Sequence, residues 1–172
     1  MKNLIWAEWK KLRRSSIVLF TVIATILIAA FVLFAGQSVT IEGYYLNDPG
    51  WYMTMVQPWA TLFVLPAIIA MLGSYMICRE EQDDTLKSLL LIPLNETALT
   101  SAKMIVTFVL SVLLYLLLFV ITLSTELILH YSDLSIGMVL SFFKSYLLEG
   151  VGVFLAVSPI IALVSYTKKS YW

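Results

Sequence analysis

This 172-residue chain has one cysteine, Cys78, and one histidine, His130. A lone cysteine excludes an internal disulfide framework and a cysteine-cluster metal site. A lone histidine excludes an H-E-x-x-H metal motif and leaves one candidate base for any serine nucleophile. Charge is scarce too: the eleven bases and eleven acids are 13% of the chain and cancel to zero, so a nucleic-acid partner has no electrostatic support. No G-x-x-x-x-G-K-[ST] run is present, so there is no phosphate-binding loop for ATP. No row of spaced arginines marks a voltage sensor. Neither a cofactor nor a metal is expected.

Apolar surface is plentiful. Hydrophobic residues make up 60% of the chain and the mean hydropathy is +0.91, beyond the range of ordinary soluble domains. The class is integral membrane. Bases precede the first apolar run, as in a secretory signal. That run is too long for a signal core and lacks a convincing cleavage site before Gln37, so it reads as a retained span. Four apolar runs, at about Ser15–Gly36, Pro58–Cys78, Met104–Leu129 and Leu147–Tyr166, are long enough for a hydrocarbon core of about 30 Å. The expectation is an all-α polytopic helix bundle in one transmembrane domain spanning residues 1–172.

Small and hydroxyl residues recur at helical spacing in these runs, and such faces let helices approach closely in lipid. They are Thr21, Thr25 and Ala29; Ala67, Ala70 and Ser74 with Gly73; Thr107, Ser111 and Tyr115; and Gly152 with Ala156. Pro58 suits a first helical turn, while Pro66 and Pro159 predict bends. Asp48-Pro49-Gly50 signals a turn, and Tyr44, Tyr45, Trp51 and Tyr52 suit an interfacial belt. Tyr131–Tyr146 reads as a short outer connection, helical in part.

Met1–Arg14 has the pattern of an amphipathic interfacial helix touching membrane lipid. Ile5, Trp9 and Leu12 share a face with Trp6 beside it; Lys10, Lys11 and Arg14 point elsewhere, and Arg13 can snorkel. A plain basic flank is the simpler alternative. Lys2, Lys10, Lys11, Arg13, Arg14, Arg79, Lys87, Lys103, Lys168 and Lys169 fall on one side of a four-span arrangement and Lys144 on the other. Both termini and residues 79–103 are therefore expected in the cytosol.

Ionisable groups within spans default to functional suspicion. Glu126 and His130 are four apart on one face, too few ligands to name a metal, and read as a hydrated cluster at the outer interface. Lys144 is positioned to pair with Glu149.

The polar interval Arg79–Lys103 carries Glu80, Glu81, Asp83 and Asp84, then Thr85, then an apolar set, Leu86, Leu89 and Leu90. Asp83 or Asp84 can cap a helix running through Leu91, and Pro93 ends it; Asn95 or Thr97 can cap the next. Two segments together resemble the permease subunits of bacterial type-2 ABC exporters. Ala7–Ser16, AEWKKLRRSS, is similar to that family's E-x-x-K-x-x-R-S opening. The order acidic pair, Asp84-Thr85-Leu86, leucines, Pro93 and Lys103 is similar to its first cytosolic loop, with Asp84 where a glycine is usual.

The resemblance implies that Asp83–Leu91 is a coupling helix seated in a cleft of a separate ATP-binding ABC subunit. Leu86, Leu89 and Leu90 would be its anchor, with Glu80, Glu81, Asp83, Asp84 and Thr85 around them. It also implies a second permease copy or homologue, no enzymatic activity in this chain, and a place in the bacterial cytoplasmic membrane. Family members usually have six spans, so the four visible here match the first two-thirds of a full permease. Within the family the chain looks most like subunits conferring lantibiotic or bacitracin immunity. Two other readings are a non-transporting scaffold or sensor whose loop binds a signalling partner, and an intramembrane enzyme using Glu126 and His130.

Overall fold

A computed structural model describes residues 2–13, 15–38, 48–82, 96–131 and 133–169. Every regular element in them is helical: α1 (Lys2–Arg13), α2 (Ser16–Ser38), α3 (Trp51–Trp59), a π-helical turn (Ala60–Val64), α4 (Leu65–Gln82), α5 (Glu96–Leu129) and α6 (Ile136–Lys169). Among the described residues, four stretches are long and apolar enough to cross a membrane: Ser16–Ala35, Trp51–Ile77, Thr97–Leu129 and Ile136–Val164. The protein is an all-α, multi-pass membrane bundle.

Three spans are longer than the apolar runs suggested. The second begins at Trp51 rather than Pro58, directly after Gly50 in the left-handed conformation at φ 88°. Glycine adopts that conformation without the Cβ penalty. Trp51 and Tyr52 are buried core residues and not an interfacial belt. Pro58 lies near the end of α3, not in its first turn. The third span runs through a 34-residue helix, about 51 Å at 1.5 Å per residue, and starts at Glu96 rather than Met104. The fourth begins at Ile136, so most of the expected outer connection is the first part of α6. Pro159 is accommodated within α6.

Pro66 acts through the turn ahead of it. A proline ring crowds the carbonyl four residues back and offers no N–H. Here the preceding residues widen into a π turn, and the Leu65 N–H reaches the Ala60 carbonyl five residues back. The widened turn relieves the crowding without ending the helix.

One core joins α2 to α6. It stacks Ala29 and Val32 of α2, Leu65, Ile69 and Leu72 of α4, Leu114 and Leu118 of α5, and Val153, Val157 and Ile161 of α6. The Thr21, Thr25 and Ala29 stripe is buried as expected, with both threonine hydroxyls folded onto their own helix at Val18 O and Thr21 O. Gly73 permits the closest approach: a Cβ there would lie 2.3 Å from Ile161 Cδ1. At Gly150 a Cβ would meet the backbone of Val112 at 3.2 Å, and the Ser111 hydroxyl donates to the Gly150 carbonyl. Leu19, Phe20, Leu27, Phe31 and Phe34 of α2 are exposed, as lipid-facing residues of a spanning helix should be.

Candidate functional site

Polar chemistry concentrates in three places along the bundle. The first is the end that carries α1. This helix packs chiefly on α5 and buries Leu12 against Met76, Val106 and Leu110. Glu8 shares the buried side and accepts a bond from Lys11 Nζ at 3.2 Å. Trp6 is 65% exposed with Lys10 Nζ 4.9 Å above its ring, a cation–π contact, and Trp9 is 38% exposed. The bundle-facing side is therefore Glu8 and Leu12 with Ile5 partly covered, while Trp9 turns to the rim. There Trp9 lines an apolar cavity of about 540 Å³ with Leu12, Val18, Thr21, Leu110 and Leu114. The Arg13 side chain and all of Arg14 lie outside the described residues.

At the same end α4 continues as helix through Gln82, so Glu80 and Glu81 belong to its last turn. Asp83, Asp84, Thr85, Leu86, Leu89 and Leu90 lie outside the described residues, and α5 resumes at Glu96. Lys103 is buried and its Nζ donates to the Met76 carbonyl at 2.9 Å, tying the start of α5 to α4. The Ser15 hydroxyl donates to Tyr75 Oη at 3.1 Å, tying the junction of α1 and α2 to α4.

The second place is the opposite end. Glu126 is not a hydrated interfacial group, because it is fully buried. Its Oε1 accepts from the Gly50 N–H at 2.6 Å and its Oε2 from the Tyr52 N–H at 3.2 Å. His130 Nδ1 lies 3.0 Å from Oε1. The first N–H groups of a helix have no partner within it and carry a partial positive charge. Glu126 supplies the acceptor from another span, so burying it satisfies donors that would otherwise be orphaned. The Tyr52 hydroxyl continues the tie by donating to Ala29 O at 2.7 Å, reaching α2.

The third place lies within the spans. Gln57 Nε2 of α3 donates to Ser145 Oγ at 2.6 Å and to Glu149 Oε1, both on α6. Thr61 Oγ1 donates to Glu149 Oε2 at 2.7 Å and accepts from the Tyr115 hydroxyl of α5 at 3.0 Å. Below Gly50 the Tyr146 hydroxyl donates to the Met53 carbonyl at 3.0 Å. Lys144 does not pair with Glu149; it is exposed, and both carboxylate oxygens are held by neutral donors from the second span.

Comparison with known proteins places this bundle. Residues 4–172 match the family described as ABC-2 family transporter protein. The chain belongs to that family. It is also 31% identical, over 104 residues, to the bacitracin transport permease protein BCRB of Bacillus licheniformis. That match covers 60% of this chain and 50% of the relative, so the chain spans about half the length of the curated relative it matches. No solved structure matches it.

In this ABC-2 permease, three features escaped sequence reading: the buried Glu8, the capping role of Glu126 and the Gln57–Thr61–Glu149 network. Glu8 carried a signal, since it falls between Ile5 and Leu12 on one helical face and three residues before Lys11. The network carried none, because it needs the register of two helices joined by the long α5.

Proposed function

We propose that this permease is the membrane-spanning part of a bacterial exporter driven by a separate ATP-binding subunit. It works beside a second permease copy or homologue in the cytoplasmic membrane, with both termini in the cytosol. Asp83–Leu91 is the docking segment for the ATP-binding subunit, Leu86, Leu89 and Leu90 being its apolar anchor. The cargo is a peptide antibiotic, a reading supported by the likeness to a bacitracin permease.

The observation that carries the coupling is helical continuity. The second span continues as helix through Gln82, and the third is already helical at Glu96. The proposed docking segment therefore joins two helices whose near ends are tied by the bond from Lys103 to the Met76 carbonyl. A partner that grips this segment differently in its open and closed states shifts the equilibrium of the bundle by that difference in affinity.

Leu86→Asp or Leu89→Asp is expected to leave membrane insertion intact and abolish co-purification with the ATP-binding subunit. Undiminished co-purification of these variants sinks the assignment.

A further inference from the structure

We propose that Glu149, held by Gln57 and Thr61, is an intramembrane binding site for a primary ammonium group on an amphiphilic cargo. The proposal rests on reading the chain as a cargo-handling permease and specifies the chemistry of that cargo.

The hydrogen-bond directions define the site. Both protons of the Gln57 amide are committed, one to Ser145 and one to Glu149. The Tyr115 hydroxyl donates to Thr61, whose own proton goes to Glu149. Gln57 and Thr61 thus both donate to Glu149. A carboxylate has about four acceptor positions, and two are filled here. No base among the described residues pairs with it. An ion within a span is costly to keep uncompensated, so such a group marks a place where a cation arrives.

One acceptor position remains on each oxygen. A compact ammonium is a point charge with three donors that fits the remaining positions.

The flank beside the carboxylate is open. Glu149 is only partly buried, and Gly152, three residues along the same side of α6, is exposed with nothing within 4 Å of where a Cβ would lie. Leu148, Leu155 and Ala156 continue this uncovered surface, which suits the apolar body of an amphiphile. Gln57 is six residues into the second span, about 9 Å from its start, which puts the site in the half of the bilayer that the proposed topology makes outer.

The test uses the purified full chain in phosphatidylcholine nanodiscs. The probes are a long-chain diamine dansylated at one end and free at the other, and its N-acetylated neutral counterpart. The wild-type chain is expected to prefer the ammonium probe by roughly tenfold, the gain of a charge-assisted bond in an apolar setting. Glu149→Gln should erase the preference while leaving the neutral probe's Kd within about twofold, which also shows that the variant is folded. Glu149→Asp should retain the preference. An equal preference in wild type and Glu149→Gln, or none in wild type, overturns the site. Loss of the wild-type preference when phosphatidylethanolamine is included assigns the ammonium to a lipid headgroup and overturns the cargo assignment. None of these outcomes depends on the ATP-binding subunit, so failure here leaves the co-purification result standing.

Discussion

Glu126 and Glu149 are both carboxylates among apolar helices, but their surroundings differ. Glu126 is closed off completely, its oxygens taken by two helix-start N–H groups and His130. Removing the acceptor strands buried donors, at about 1–3 kcal/mol for each group left unpaired. Glu126→Leu should therefore lower the Tm of the detergent-solubilised chain strongly. Glu126→Gln should lower it less, because the amide oxygen still accepts. The glycines give a sharper contrast. Gly73→Ala drives a Cβ to 2.3 Å from buried Ile161 and should cost about 1–3 kcal/mol, whereas Gly152→Ala meets open space and should leave the Tm unchanged. Both glycines were legible as packing candidates, since small residues surround each in sequence. Which one is squeezed was not, because that depends on where α6 passes α4.

Among the elements, the π turn makes the clearest claim. A π turn holds one residue more than the α-helical turn it replaces. Deleting exposed Leu62 should therefore restore regular helix while keeping α3 and α4 in their present relative orientation. Deleting Ile69, in regular α4, rotates everything beyond it by about 100° and misplaces Leu72 and Met76. The Leu62 deletion should express and stay monodisperse on gel filtration, and the Ile69 deletion should aggregate. The expected span boundaries erred for a related reason. Thr54 and Gln57 interrupt the apolar run before Pro58, and Ser141, Lys144 and Ser145 interrupt the one before Leu147, so hydropathy read them as connections. Backbone hydrogen bonding does not distinguish polar from apolar residues, and Gln57 and Ser145 satisfy each other across the helix pair. The residues that hid the true helix starts are thus the ones that assemble the polar network.

For the whole molecule, the number of spans and the helical class were legible because an apolar run long enough for a bilayer has few alternatives. Sidedness rests on the distribution of bases and is open to direct measurement. In a Cys78→Ser background, Asp133→Cys should react with a membrane-impermeant maleimide on intact cells, and Thr97→Cys should react only after permeabilisation; both positions are exposed. The reverse pattern inverts the topology and removes the docking segment from the cytosol.

The carboxylate of Glu126 has one more consequence. The second and third spans are tied at one end by Lys103 and the Met76 carbonyl, and at the other the third span's carboxylate grips the start of the second. Two rods fastened at both tips make a closed frame, which does not splay when pulled at one corner. Under the proposed topology and coupling, work done at the end nearest Gln82 and Glu96 turns the frame as a unit against the first and fourth spans, and Gln57 and Thr61 ride on that frame while Glu149 does not.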